Sequence, residues 1–210
     1  MGDKEKKYAV VCGGDTYGDE WLKAKLSFFD FIIAADSGYD KCCKAGVVPD
    51  VAIGDFDSSL KVIPDTVEKI TFPVKKDYTD YYLALDYCIK NGIKSVTSFG
   101  TTGGRIDHTY GALLTSAEAY RKGLDVTIIT KDYDIIFVKD KATLEKTYGY
   151  VSVFPIGEDA ESVTLKGFEY PLDNYFYKST SSIGISNKIV ENFGEISLKK
   201  GVLAVMIEKK

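Results

Sequence analysis

The chain has 210 residues, 45% of them hydrophobic and 28% charged, with a formal net charge of -4. That is the make-up of a globular protein long enough for one large domain or two small ones, each with its own core. The acidic balance argues against a broad nucleic-acid footprint and leaves room only for a local basic groove, and no apolar run approaches the roughly 20 residues of a membrane helix.

The chain opens on "MGDKEKKYAV", charged and then strand-like, so no signal peptide is expected. Met-Gly echoes a myristoylation signal, but Lys6 stands where that signal needs Ser or Thr. Short Val- and Ile-rich runs then alternate with amphipathic stretches. "YAVVCGG", "FIIAAD", "VAIGD", "SVTSFG" and "DVTIIT" predict buried strands. Between several of them, "DEWLKAKLSFF", "YDKCCKAG", "TDYYLALDYCIKNG" and "DHTYGALLTSAEAYRKG" predict helices, two of which end at Gly92 and Gly123, suitable C-terminal caps. Alternating strands and helices predict an open, mostly parallel sheet with helices on both faces. The four cysteines, Cys12, Cys42, Cys43 and Cys88, form no CxxC pair, and Cys42 and Cys43 fall on one predicted helix. Structural zinc is therefore not expected; free thiols in a reducing, cytoplasmic setting are.

After about residue 132 the pattern changes. "DIIFVKD", "ATLEKT", "YVSVFPIG", "ESVTLKG", "GEISLKKG" and "VLAVMIEKK" are strand-like, with turn residues between them and no helical period. The spacing predicts an antiparallel sandwich or open barrel. The expected division is thus an α/β domain over 1–131 and a β domain over 132–210, with no Pro- or Ser-rich linker between them.

The polar clusters fall at the ends of the predicted parallel strands. Asp36 lies in "ADSGYD" after the second strand, and Asp55 and Asp57 lie in "GDFDSS" after the third. Lys76, Asp77, Thr79 and Asp80 precede a helix in "KKDYTD", and "GTTGGRIDH" (Gly100 to His108) follows "SVTSF". Open parallel sheets bind ligands beyond the carboxyl ends of their strands, so these clusters are expected to share a cleft. Asp36, Asp55, Asp57 and Asp80 would repel one another there unless a cation neutralised them, and an oxygen-only donor set favours Mg²⁺. Gly100, Gly103 and Gly104 form a loop whose backbone can approach phosphate, ahead of a helix N-terminus that attracts anions. Arg105 and Lys76 suit phosphate oxygens, Arg by its planar fork and Lys as a point charge.

Each cluster also has a plain structural account. Asp36-Ser37-Gly38 suits a turn and cap, Thr79 or Asp77 a helix cap, and the paired glycines a tight loop. His108, the only histidine, suits a structural role, with Asp107 beside it the stronger polar candidate. The cysteines, Trp21, Tyr81, Tyr82 and Tyr87 suit packing. Two functional readings compete on the residues. "IGDFDSSL" approximates the DxDx[ST] of haloacid-dehalogenase-type phosphatases, with Asp55 as nucleophile and Asp57 as acid/base, but that leaves "GGRIDH" and the β half without a role. The other is a magnesium-nucleotide sensor that is not an enzyme and whose β half meets a partner.

A third reading is a resemblance. In order, "ADSGYDKCCKAGVVPDVAIGDFDSS", "FPVKKDYTDYYLALDYCIKNG", "GTTGGRIDHTYGALL" and "GISN" resemble the signature of the thiamine pyrophosphokinase family across nearly the whole chain. The resemblance implies an N-terminal α/β domain joined to a C-terminal β sandwich. It implies transfer of the pyrophosphoryl group of ATP to the hydroxyl of thiamine, giving thiamine diphosphate and AMP. By motif, it assigns Mg²⁺ and the phosphates to Asp55, Asp57 and Asp80, with Asp36 close by, and the adjoining loop to Lys76, Asp77 and Thr79. It assigns the Arg-x-Asp element to Arg105 and Asp107 and the thiamine-contacting element to Ser186 and Asn187. It also implies a homodimer, with thiamine bound where one subunit's β domain meets the other's α/β domain. This chain differs in carrying Lys188 where many relatives are acidic and Ser37 where a second Gly is common. Its β half has no Trp, so stacking on thiamine falls to Tyr or Phe. The absence of a GxxxxGK[ST] loop and of protein-kinase motifs leaves phosphate handling to an aspartate-held metal.

Overall fold

The computed structural model describes residues 6–55, 63–72 and 77–209. Five strands of the first half, β1 (Tyr8–Val11), β2 (Phe31–Ala35), β3 (Val51–Gly54), β5 (Ser95–Phe99) and β6 (Asp125–Ile129), are those expected from their apolar runs. They are parallel, with β1 seated between β2 and β5. Four helices connect them: α1 (Asp19–Leu26), α2 (Gly38–Lys44), α3 (Asp80–Lys90) and α4 (Ile106–Arg121). Alternation along the strands sends Val10 and Cys12 into a core with α3 and α4. Ala9 and Val11 enter a second core with α1 and α2 on the other face. Both faces are therefore covered, which is why these strands read as continuous apolar runs.

The helix ends follow local chemistry. Gly92 and Gly123 take φ of 72° and 92° just past α3 and α4. After α3, Ile93 N–H reaches Cys88 O at 3.0 Å and Gly92 N–H reaches Ile89 O at 3.0 Å, the double bond pattern of a Schellman stop. One parallel strand had no expectation: β4 (Glu68–Thr71) adds to β3 at the sheet edge. Its sequence, EKIT, is largely exposed and carries no apolar run to betray it.

All elements after α4 are strands. β7 (Tyr133–Val138) turns back antiparallel on β6, and β13 (Leu203–Glu208) and β9 (Val151–Pro155) extend the same sheet. The result is nine strands in the order β4-β3-β2-β1-β5-β6-β7-β13-β9. A second sheet, β11-β10-β12-β8, contains β8 (Lys141–Glu145), β10 (Ala160–Lys166), β11 (Leu172–Tyr177) and β12 (Phe193–Ser197). Val151, Val153, Leu203 and Val205 from the large sheet pack with Val163, Leu165 and Ile196 from the small one, making the expected antiparallel sandwich. Tyr177, fully buried on β11, spans it by donating its O–H to Val153 O at 2.8 Å. β11 had also escaped expectation, since most of LDNYFY lies exposed on a sheet edge.

Candidate functional site

From β1 the chain steps outward through β2, β3 and β4, then returns to β5 on the opposite side of β1. The reversal makes the carboxyl ends of β1 and β5 a topological switch point, where two loops must part and leave a crevice. The loop after β1 is Gly13-Gly14-Asp15, and the loop after β5 is Gly100 to Gly104. Gly14 N–H donates to Gly100 O at 2.8 Å and Asp15 N–H to Thr102 O at 2.7 Å. A Cβ on Gly14 would collide with the Gly100 and Thr102 carbonyl oxygens, so only glycine permits this approach. Gly103 and Gly104 take φ of 88° and 68°, and Gly103 lies against Asp15. The Gly13–Asp15 loop is part of the site's frame, although its sequence reads as the end of a strand. Its signal was a Gly-Gly-Asp run directly after the first buried strand.

The acidic candidates gather along the same rim. Asp36 follows β2 in a left-handed conformation, φ 50°, and its N–H bonds Ile53 O on β3 at 2.8 Å. Asp55 follows Gly54 at the end of β3, and Asp80 is the first residue of α3. All three are partly buried. The Cys12 thiol, buried at the end of β1, is pushed well above its ordinary pKa first by burial, then by the fields of Asp80 and Asp36. One buried thiol thus lies within the fields of carboxylates from two separate elements. Ser37, the position where Gly had been the common residue, presents its hydroxyl to Gly13, in space that a Cβ there would fill.

Asp57 and Lys76 lie outside the described residues. Among the described residues no three His, Cys, Asp or Glu side chains assemble into a cation cage. The donors that do converge are carboxylates, without His or thiolate character. That chemistry fits Mg²⁺, which is bound through one or two carboxylates with water and phosphate oxygens completing its shell.

Two helix N-termini face this rim. Thr79 caps α3, its Oγ1 accepting from Tyr82 N–H at 3.2 Å, and Asp77 is exposed just before it. Arg105 occupies the cap position of α4 and closes on Asp107 through Nη2–Oδ2 at 2.6 Å and Nε–Oδ1 at 3.2 Å. Arg105 holds the Asp107 carboxyl below its ordinary pKa, mainly through this side-chain hydrogen bonding. His108 is exposed on the first turn of α4. Tyr81 is buried, Tyr82 stacks on Tyr78 with ring centroids 4.3 Å apart, and Trp21 packs edge-on to Phe99, so the aromatic residues serve packing as expected.

Ser186 and Asn187 lie elsewhere. Asn187 is 3% exposed, its Oδ1 accepts from Tyr170 N–H at 3.0 Å and its Nδ2 donates to Tyr170 O at 2.8 Å. Val151 N–H, at the start of β9, bonds Asn187 O at 2.8 Å. Ser186 beside it is exposed, with φ 56°. β9 is five strand steps from β1, through β5, β6, β7 and β13. At about 4.8 Å per step this separates the two regions by roughly 24 Å. Within one chain the Ser-Asn element and the switch point are not brought together.

A doubly covered parallel sheet with glycine loops and carboxylates at its switch point, continued into a β sandwich, places the chain in the open-sheet α/β class, whose members take ligands beyond the strand ends. Residues 22–128 match the family described as thiamin pyrophosphokinase, catalytic domain, and residues 135–203 match thiamin pyrophosphokinase, vitamin B1 binding domain. A thiamine pyrophosphokinase of Bacillus subtilis is 32% identical over 182 residues, covering 83% of this chain and 85% of the relative. The crystal structure of thiamine pyrophosphokinase from Bacillus subtilis superposes with a TM-score of 0.82 at 28% identity, covering 98% of this chain and all of that one. A thiamin pyrophosphokinase family protein from Enterococcus faecalis gives 0.81 at 25% identity, covering 97% and 99%. The chain belongs to the thiamine pyrophosphokinase family. None of these matches favours the phosphatase or the sensor reading.

Proposed function

We propose that this enzyme transfers the pyrophosphoryl group of ATP to the hydroxyl of thiamine in a Mg²⁺-dependent reaction that releases AMP. The observation that carries the reading is the convergence, at one switch point, of the Gly100–Gly104 loop with carboxylates from β2 and α3. Bound Mg²⁺ would neutralise charge on the polyphosphate and on the carboxylates around it. Asp55, Asp57 and Asp80 would hold it, with Asp36 alongside. The Gly103-Gly104 backbone and the N-terminus of α4 bind phosphate oxygens, helped by Arg105, Lys76 and His108. Asp77 and Thr79 order the entrance to α3. These groups orient the β-phosphorus toward the alcohol, so positioning and charge neutralisation supply most of the rate.

Acceptor binding belongs to the β half, at Ser186 and Asn187. Because roughly 24 Å of sheet separates that element from the switch point, a single chain cannot present both to one thiamine. A homodimer, with the β half of one subunit against the α/β half of the other, removes the difficulty. Exposed apolar side chains in the β half, among them Tyr170, Tyr175, Phe176, Ile185 and Phe193, favour such a contact. We divide the chain functionally at 131/132, in the interval between the two family matches. Four free cysteines suit the reducing cytoplasm, and no helix among the described residues is long and apolar enough to cross a membrane.

The test is product identity. Purified protein incubated with ATP, Mg²⁺ and thiamine is expected to form AMP and thiamine diphosphate in equal amounts, and chelation of the metal to stop it. A simple kinase gives ADP and thiamine monophosphate, and a phosphatase frees phosphate without thiamine. A sensor forms no product. Folded protein that makes no AMP with Mg²⁺ present would end the proposal.

A further inference from the structure

Tyr81 sits directly after Asp80 in the first turn of α3 and lies in the core, 8% exposed. Its O–H donates to Ser98 Oγ on β5 at 2.9 Å. With that proton committed, the phenol oxygen accepts from Ser116 Oγ on α4 at 2.8 Å. Ser98 and Ser116 are both fully buried, so three hydroxyls form a closed polar cluster inside an apolar core. Apolar packing alone would hold α3 against the sheet without fixing its rotation or its height, because dispersion contacts are not directional. A buried hydrogen-bond triad is directional, and each member is expensive to leave unpaired.

The location gives the triad its consequence. Ser98 lies two residues before Gly100, at the root of the glycine loop, and Ser116 lies on the helix that this loop initiates. Tyr81 also lies near Cys12: burial first and then Cys12 push the phenol up, and the same thiol is raised by burial and then by Asp80 and Asp36. The three hydroxyls thus bolt the turn carrying Asp80 to the strand and helix that flank the phosphate loop. We infer that Tyr81, through Ser98 and Ser116, is a positioning residue that fixes the Asp80 carboxylate relative to the Gly100–Gly104 loop. The inference rests on Asp80 being a metal ligand, as proposed above.

The test measures binding as well as turnover. Mn²⁺ affinity is read by electron paramagnetic resonance in the presence of α,β-methylene-ATP, whose α–β linkage cannot transfer. Tyr81→Phe is expected to weaken Mn²⁺ about tenfold, the scale on which groups supporting a metal ligand act. The Mg²⁺ needed for half-maximal rate rises in parallel, and the KM for thiamine stays at the wild-type value. Ser116→Ala, which keeps the Tyr81–Ser98 bond, is expected to lose part of the same affinity. It decides the matter if Tyr81→Phe does not fold. A variant with a lowered Tm and wild-type Mn²⁺ affinity would overturn the inference, since the triad would then only hold the core together. Asp80→Asn is the control for the underlying reading. If it binds Mn²⁺ like the wild type, the metal assignment fails and takes this inference with it.

Discussion

Arg105 and Asp107 engage each other side-on, Nη2 to Oδ2 at 2.6 Å and Nε to Oδ1 at 3.2 Å, at the N-terminus of the helix that follows the glycine loop. Both carboxylate oxygens of Asp107 are committed to the guanidinium, and its pKa is held below the ordinary 3.8. A depressed carboxyl keeps its pair at and above that ordinary value and loses it only as pH falls through the lower folded value. Under the proposed function, Asp107 would orient Arg105 toward phosphate rather than take a proton near neutrality. Asp107→Asn is expected to raise the KM for ATP and lower kcat by less than the ~10²-fold that loss of a general base costs. It should leave the pH–rate profile between 6 and 9 unchanged in shape, and disappearance of an acidic limb there would assign Asp107 as the base.

Asp55→Asn and Asp57→Asn should each cut turnover by roughly 10²- to 10³-fold, the equivalent of several kcal/mol of charge stabilisation. Circular dichroism should match the wild type, since Asp55 lies on the rim and not in the core. Denatured wild-type enzyme quenched during turnover should carry no phosphoryl group on Asp55. A trapped acyl phosphate would restore the phosphatase reading.

Asn187→Ala removes a buried side chain that both accepts from and donates to the Tyr170 backbone. Leaving those groups unpaired should destabilise the protein by about 1–3 kcal/mol, read as a fall in Tm of about 3–10 °C. The KM for thiamine should rise far more than that for ATP, because the glycine loop proposed to hold phosphate lies across the sheet. Equal changes in both constants would mean that the residue serves the fold alone.

The thiols should differ sharply in reactivity. Burial pushes Cys42 and Cys88 up to about 12 and raises Cys12 further, whereas Cys43 is only half-buried. A disulfide reagent at pH 8 should label Cys43 well before the other three, as mass spectrometry of digested protein would report. Unfolded thiols ionise near 9.0 and the folded ones do not, so stability should decline as pH rises from 9 toward 12. A Tm flat across that window would contradict the burial of these groups.

Local pattern carried much of this protein. Buried parallel strands declare themselves as apolar runs, Thr79 and Gly92 mark the ends of α3 by chemistry confined to a few residues, and the ordered Asp, Gly-Arg-Asp and Ser-Asn elements sufficed to indicate the family. The elements that escaped, β4 and β11, are exposed edge strands, where neither face imposes an apolar period. What only the tertiary structure decided depends on pairing between residues far apart in sequence. β1 lies between β2 and β5, so Gly14 meets Gly100 and the switch point forms beside residues that had looked like the end of a strand. β7, β13 and β9 continue the first sheet and hold Asn187 five strands from β1, although the composition changes at their border. Strand order and the reach of a buried tyrosine to two distant serines are set by hydrogen bonds and packing across the whole sheet. No local window of sequence encodes a partner that lies 17 or 35 residues away.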